Sequence, residues 1–590
     1  MKCNTFSPHS SASRPLLLLG LTAPGHNVIV ANTMCDVTAL GVDEACIKVE
    51  SQLQQRTWLY ALQSNCHECP LSLLGNVSAG GELKMPLSTH HDWTFRVTDS
   101  YSDQYLSTSN SSSTLCQINW RLGQHGNYEM KVHESQSGDV ECTSAILQHP
   151  DNIYLPMTLA LSVLVTVGLI YKLSCIAVRR IYRRKDVSLE TVGAVPNKSD
   201  NGKAKKRVAS LDAFRGISIL LMIFVNDGAG GYSVLEHADW DGLKLADVLF
   251  PWFLWIMGVC IPISVKSQIK RNVSRLAMLK TILKRSIVLF ALGVMLNTLG
   301  VGPQLETLRI FGVLQRFGVL YLVVAGSCAL LWPENTADQG TSPLRDVTVL
   351  LPQWLLHLAL HAAHLIIIFV LPVPDCPAGY LGPGGRSEDG EYYNCTGGAT
   401  GYIDRLILGE EHLYQYPTSK LVYGSGPFDP EGPYGCLPSL LTVMLGVQAG
   451  ATLLAFPAWK ARARRWAVWG FVCLALAAPL FLTDAIPLNK NLWSTSFSLV
   501  TSGLAFLLLA LCYVLIDVWG CWEGSPFVYP GMNATIMYVG HMVAYQLWPF
   551  HWRIGSMDSH AWLLVEALWG VAAWTLVAYR LYQNKFFLSI

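Results

Sequence analysis

The chain reads as a polytopic α-helical membrane protein of about 11 transmembrane helices with a small N-terminal β-rich, sandwich-like domain. Three observations predict this. Of 590 residues, 51% are hydrophobic and only 14% are charged, against about 25% charged in a typical soluble protein. The apolar residues fall in long blocks rather than in periodic stripes. Ahead of those blocks lies a segment of strand-like alternation. Lys+Arg 42 against Asp+Glu 41 leaves a net charge of +1, so no global basic field would draw nucleic acid. The 19 Trp, 23 Tyr and 20 Phe exclude disorder over most of the length.

Residues 1–44 read as a leader segment, with Leu16–Leu19 as a short apolar run. Residues 45–148 read as the β-rich domain. Trp93-Thr94-Phe95-Arg96-Val97 and Tyr128-Glu129-Met130-Lys131-Val132 alternate as strands do, and Ser107–Thr114 reads as a loop. A hydrocarbon core of about 30 Å needs roughly 20 apolar residues per helix. The qualifying blocks are 153–178, 209–226, 245–265, 281–299, 311–332, 350–371, 436–456, 466–483, 493–516, 532–550 and 561–582. Residues 179–208 read as a polar linker, and 209–590 as a ten-helix domain that includes a long loop at 372–435.

Flanking charge sets the orientation. Arg179, Arg180, Arg183, Arg184 and Lys185 follow the first span; Lys266, Lys270, Arg271, Arg275 and Lys280 follow the third; Lys460, Arg462, Arg464 and Arg465 follow the seventh. All three connections share one side, which the positive-inside rule makes cytoplasmic. The N-terminal domain is then luminal and the C-terminus cytoplasmic. Cys46, Cys66, Cys69, Cys116, Cys142, Cys376 and Cys395 fall on the oxidising side. Cys376 is expected to pair with Cys395 within one loop. Asn76, Asn110 and Asn394 are glycosylation acceptors on that side, whereas Asn197, Asn272 and Asn533 should stay bare.

Metalloprotease, P-loop and paired C-x-x-C signatures are missing, and Cys66-x-x-Cys69 reads as a disulfide. The informative feature is ionisable groups in the spans, which are expensive in lipid and functional by default. Asp212 and Arg215 share a helix face. They form either a structural ion pair or an arginine placed at a cytosolic mouth for a phosphorylated ligand. A glycine-rich turn, Asp227-Gly-Ala-Gly-Gly231, lets the chain double back and brings Asn226, His237 and Asp247 toward one luminal pocket. A histidine there could exchange protons near neutral pH, with Asp247 fixing its tautomer, or it could be a plain surface or core residue. Gln315, Arg316, Lys490, Asn491 and His541 are weaker candidates. His357, His361 and His364 are spaced for a metal or for a polar stripe facing a neighbouring helix, and the stripe is favoured.

Asp212-Ala-Phe-Arg-Gly216, Phe224-Val-Asn226, His237-Ala-Asp-Trp240, Ala246-Asp-Val-Leu-Phe-Pro-Trp-Phe253 and Gly312-Val-Leu-Gln-Arg316 occur in order. They are followed by Asn394-Cys-Thr-Gly-Gly, Gly401-Tyr-Ile-Asp-Arg405, Asp429-Pro-Glu-Gly432, Asn489-Lys-Asn-Leu-Trp-Ser494 and Tyr529-Pro-Gly-Met-Asn533. This series resembles the heparan-α-glucosaminide N-acetyltransferases, strongly over 205–590 and more loosely over 45–148. The resemblance implies a lysosomal membrane enzyme that moves the acetyl group of cytosolic acetyl-CoA, with no metal, onto the terminal glucosamine of heparan sulfate. It places the catalytic histidine on His237 and its partner on Asn226, and it implies a homodimer. Position 227, aromatic in the relatives, is Asp227 here. With that reaction in view, Arg215 and Arg285 start at the cytosolic side, where CoA phosphates would dock, and Asp247 would orient His237. The competing readings are a transporter of a sugar or acyl carrier, against which stand the missing inverted repeats, and a membrane acyltransferase with another acceptor.

Overall fold

A computed structural model describes residues 35, 40–109, 113–136, 138–189, 207–299, 302–333 and 342–588. Nearly all of the expected leader and most of the polar linker lie outside the described residues, as do Asn110 and Asn197.

The N-terminal module contains nine strands: β1 (Glu44–Ser51), β2 (Thr57–Gln63), β3 (Leu71–Val77), β4 (Glu82–Ser88), β5 (Trp93–Thr98), β6 (Tyr105–Leu106), β7 (Thr114–Trp120), β8 (Asn127–Glu134) and β9 (Val140–Gln148). They form two sheets, ordered β4-β1-β8-β9 and β6-β3-β2-β5-β7. All pairings are antiparallel except β1 with β8. The alternation read from the sequence becomes one shared core, because Ile47, Val49, Met130 and Val132 of the first sheet pack with Leu59, Ala61, Phe95 and Val97 of the second. Cys116–Cys142 ties β7 to β9 across the sheets. The other disulfides are Cys35–Cys46, Cys66–Cys69 and the expected Cys376–Cys395.

Fifteen α-helices follow among the described residues. They are α1 (Tyr154–Leu189), α2 (Ala209–Asn226), α3 (Leu245–Ile269), α4 (Arg275–Asn297), α5 (Val313–Leu331), α6 (Arg345–Thr348), α7 (Leu351–Val370), α8 (Gly398–Leu408) and α9 (Thr418–Tyr423). Then come α10 (Cys436–Ala455), α11 (Trp459–Leu482), α12 (Thr495–Cys512), α13 (Val528–Met532), α14 (Ala534–Val543) and α15 (His560–Gln583). Among the described residues nine helices are long and apolar enough to cross a membrane, not eleven. Two expected spans account for the difference. The 281–299 block is the second part of α4, whose first half carries Arg275, Lys280, Lys284 and Arg285. The 532–550 block is a helix only as α14, which ends at Val543 before the turn at Gln546. The expected linker also begins later, since α1 runs on to Leu189.

The helices alternate in direction. The C-terminal ends of α2, α4 and α7 and the N-terminal ends of α3, α5 and α12 gather at the end that meets the β-module. We call this the β end. At the other end Asp517 accepts hydrogen bonds from the Ala209 and Ser210 amides, satisfying the free N–H groups that open α2. α3 lies directly against α10. A Cβ on Gly258 would strike the Val443 carbonyl, one on Gly446 the Trp255 carbonyl, and one on Gly450 the Val259 carbonyl. Such backbone contact is what small residues allow between helices in lipid.

This seam generates a prediction. Gly446→Val should lower stability by about 3 kcal/mol or more, since neither backbone can yield as a side chain can. A detergent-purified variant with an unchanged unfolding temperature would show that the seam is loose.

Candidate active site

α2 ends at Asn226, and the chain leaves it through Gly228, Gly230 and Gly231, all at positive φ. Glycine adopts that conformation without steric cost. The loop that follows is pinned on three sides. Trp240 donates from Nε1 to the Leu381 carbonyl (2.9 Å) and stacks edge-on against Phe428. Thr418 Oγ1 donates to the Asp239 carbonyl (3.0 Å), and Asn489 Nδ2 donates to Asp241 (3.0 Å). From the β-module, Asn65 Nδ2 donates to Asp239 (3.2 Å), and the Cys66–Cys69 turn packs into the cluster of Trp240, Tyr423, Phe428 and Leu492.

Within that loop the structure joins His237 to Asp247. Asp247 Oδ1 lies 2.8 Å from His237 Nδ1, while Oδ2 accepts from the Ala238 and Lys244 amides (3.1 and 3.0 Å). The same carboxylate thus starts α3, closes the loop and holds the ring. The Asp247 side chain is 0% exposed, whereas that of His237 is 35% exposed and can be reached. An ionised carboxylate only accepts, so Nδ1 carries the proton and Nε2 the lone pair. Lys490 Nζ sits against the ring edge, 3.3 Å from Nε2 and 2.9 Å from Nδ1. The hydrogen bond that fits this tautomer runs from Lys490 to Nε2.

Burial and the neighbouring Lys490 ammonium hold His237 below its ordinary range, against the pull of Asp247. Burial likewise depresses Lys490, opposed by Asp247 and Glu431. Glu431 belongs to a further network. Arg309 donates to both Asp429 oxygens (2.9 and 2.6 Å) and to Glu431 (2.8 Å), and its guanidinium covers the Tyr414 ring at 4.5 Å. Burial would raise Glu431, but Arg309, Lys490 and Arg316 together hold it below the usual carboxylate range.

The remaining candidates occupy different places. Asn226 Nδ2 pairs with His541 Nε2 (2.8 Å), while His541 Nδ1 faces the Met537 carbonyl. Arg215 and Arg285 line one cavity of about 360 Å³ whose walls come from α2, α3, α4, α5, α13 and α14. Asp212 is gripped chiefly by Arg207 (2.5 and 3.0 Å), leaving Arg215 a longer contact of 3.4 Å and hydrogen bonds to the Gly531 carbonyl and Cys260. Arg215 is thus a member of the Asp212 ion pair that also lines a cavity. Arg285 lies over the Tyr321 ring at 4.7 Å. The cavity's β-end wall includes Met222 and Phe253. At 1.5 Å per residue these lie about 6 Å along α2 from Asn226 and about 9 Å along α3 from Asp247. A second hollow, lined by Gln268 and Arg271, adjoins it at Cys260 and Ser264.

The histidines of α7 do not converge. His357 Nδ1 faces the Gln353 carbonyl and His361 Nε2 faces Thr495 Oγ1. Among the described residues no group of three or more His, Cys, Asp or Glu side chains is arranged to hold a metal ion. Asn76 and Asn394 are exposed, as is Asn272, while Asn533 is buried.

Sequence reasoning undervalued Lys490, which stands 253 positions from His237, and missed the Arg309–Asp429–Glu431 network. The one available signal was that Lys490 and Glu431 are charges inside unusual short motifs, Asn489-Lys-Asn and Asp429-Pro-Glu-Gly432.

A family model described as heparan-alpha-glucosaminide N-acetyltransferase, catalytic, matches residues 207–338. The chain is 36% identical over 594 residues to the heparan-alpha-glucosaminide N-acetyltransferase of Mus musculus, covering 93% of this chain and 89% of that protein. It is also 36% identical over 600 residues to that of Homo sapiens, covering 93% and 88%. The matched stretch contains Asn226, His237 and Asp247, and the similarity runs through nearly the whole of both relatives, so the chain belongs to the heparan-α-glucosaminide N-acetyltransferase family.

Proposed function

We propose that this enzyme moves an acetyl group from cytosolic acetyl-CoA to the amine of a terminal glucosamine of heparan sulfate in the lysosomal lumen, with the β-module and the glycosylated Asn76, Asn110 and Asn394 on the luminal side. The observation that carries this reading is the His237–Asp247–Lys490 arrangement. In an acidic compartment an ordinary imidazole is mostly protonated and cannot act as a base. Burial and Lys490 bias this one toward its neutral form, and Asp247 keeps the lone pair at Nε2.

Acetyl-CoA supplies an activated thioester. The cavity at Arg215 and Arg285 fits such a donor, because two guanidinium groups line walls that are otherwise largely apolar. Arg271 extends the basic mouth. The acceptor amine takes over from Lys490 the hydrogen bond to Nε2, and Nε2 removes its proton as the amine attacks. Asn226 turns its amide from His541 toward the developing oxyanion. The tetrahedral intermediate then collapses with cleavage of the thioester C–S bond, the CoA thiolate takes the proton from the His237 imidazolium, and Asp247 stabilises that imidazolium without itself taking a proton. Both substrates bind together in this account, so no acetyl group rests on His237. Glu431, held by Arg309 on the same side, offers its carboxylate to the sugar hydroxyls.

The direct test is purified protein with acetyl-CoA and a glucosamine glycoside, assayed for the N-acetyl product; its absence at acid and neutral pH would overturn the reading. His237→Ala should lower kcat by about 100-fold to 10,000-fold, the usual worth of a positioned base, while acetyl-CoA binding persists. The sign for Lys490 is fixed by its charge. Lys490→Met removes the repulsion that depresses His237, so the acid limb of kcat/KM should move to higher pH by about one unit. A pH profile identical to wild type would exclude that role. Arg285→Gln should raise KM for acetyl-CoA about tenfold, the effect of one charge-assisted hydrogen bond, with kcat nearly kept. An unchanged KM would move the phosphate site elsewhere.

A further inference from the structure

One titratable cluster lies outside the arrangement just described and abuts it. Asp227 follows Asn226 directly at the end of α2. Its carboxylate is 1% exposed, and Oδ1 lies 3.4 Å from His551 Nε2. Neither Asp227 oxygen has a hydrogen-bond partner among the described residues beyond this ion-pair contact. The other face of the same ring is held by Glu566 on α15, with Nδ1 to Oε1 at 2.7 Å. All three side chains are almost out of solvent. Gly570, one turn beyond Glu566 on α15, makes room for the carboxylate; a Cβ there would stand 2.6 Å from Asp227 Oδ2. Tyr545 packs edge-on against the His551 ring at 5.3 Å. The groups facing the cluster are therefore Asp227 from α2, Glu566 from α15, and His551 and Tyr545 from the connection between α14 and α15. His541 of α14, the partner of Asn226, is also close enough to feel the charge on His551.

Two carboxylates share one imidazole in a site that water scarcely reaches. Such a set holds together only while it carries enough protons, because a second ionised carboxylate there is neither solvated nor fully paired. We propose that Asp227, His551 and Glu566 form a proton-dependent clamp that fastens the end of α2 to α15 and to the α14–α15 connection, making Asp227 and His551 positioning residues for Asn226.

The direction of the pH effect follows from the groups outside the membrane. Burial pushes Asp227 up to about 7, against the pull of His551 and with a smaller push from Glu566. The hydrogen bond to Glu566 raises His551, although burial opposes it. An acid whose folded value is raised keeps in the folded state a proton that the unfolded chain gives up between about pH 4 and pH 7. Its contribution to stability is therefore full in acid and is lost as pH climbs through about 7. The clamp closes under acid conditions and loosens at neutral pH. Only the role assigned to Asn226 rests on the proposed acetyl transfer; the clamp itself does not.

The test separates the two. Full-length protein in detergent, without substrate, is unfolded by heat between about pH 5 and pH 8, the window set by Asp227. Wild type should lose stability across this range, most steeply below the Asp227 value and levelling off above it. Asp227→Asn, close in shape and unable to ionise, should flatten that fall. His551→Gln, which cannot hold the extra proton, should lower the unfolding temperature in acid toward the wild-type value at neutral pH. If both variants follow the wild-type curve, the clamp is refuted, whatever the enzyme acetylates. For positioning, His551→Gln should lower kcat in acid severalfold while KM for acetyl-CoA is kept, and Asp227→Asn should extend the kcat profile toward higher pH. Unchanged kcat profiles alongside altered unfolding curves would overturn the link to Asn226.

Discussion

One buried carboxylate organises the reactive end of this molecule. Asp247 is sealed from solvent, so each of its lone pairs needs a donor, and the chain supplies them from three directions: two backbone amides, an imidazole, and an ammonium facing it at 3.8 Å. Removing any one donor would leave part of a charge unpaired at low dielectric, which is costly. The loop from Tyr232 to Lys244 has no regular secondary structure of its own beyond short turns. Its shape is set by where its ends must deliver the Ala238 and Lys244 amides and the His237 ring.

Around that anchor the electrostatics alternate in sign. Asp247 is followed by Lys490, Lys490 by Glu431, and Glu431 by Arg309, which also binds Asp429. Each member moderates the next. A lone lysine beside His237 would repel it and then be expelled; balanced by two carboxylates it can stay. The result is an imidazole biased toward its neutral form without being isolated from solvent. The cavity at Arg215 and Arg285 is built by different means, with two arginines, one from α2 and one from α4, and otherwise largely apolar walls.

Much of this was legible in the linear order of residues, and the losses have physical causes. The 209–226 block coincides with α2 because the apolar run is unbroken and the glycine turn stops it cleanly. The His237–Asp247 contact was foreseeable because ten residues and a tight turn join the pair. Lys490 and Arg309 could be noticed as charges but not placed, since only tertiary packing brings them across 253 and 120 positions. The 532–550 block misled because hydropathy does not register a turn: Tyr545, Leu547 and Trp548 look like membrane residues yet lie beyond the end of α14. The block at 281–299 differs for another reason, since α4 begins earlier, adding Arg275 and Lys280 to the Lys284 and Arg285 already within the block. The β-sandwich was visible as alternation, but its two-sheet order, with one parallel pair, was not.

The spacing of the two arginines and the histidine along so few helical turns has an electrical consequence. Arg215 and Asn226 are separated by about 16 Å of α2 at 1.5 Å per residue, roughly half of a 30 Å hydrocarbon slab. On the proposed reading the hollow takes up most of that stretch, since its wall reaches Met222, about 6 Å along α2 from Asn226, and only a thin septum parts the two aqueous sides. Any voltage across the bilayer then drops mainly over it, at about 2.3 kcal/mol per unit charge for each 100 mV. A group-transfer reaction conducted across such a partition works best when the portion handed over carries no charge, and a neutral acyl fragment meets that condition where a phosphate or an ammonium would not.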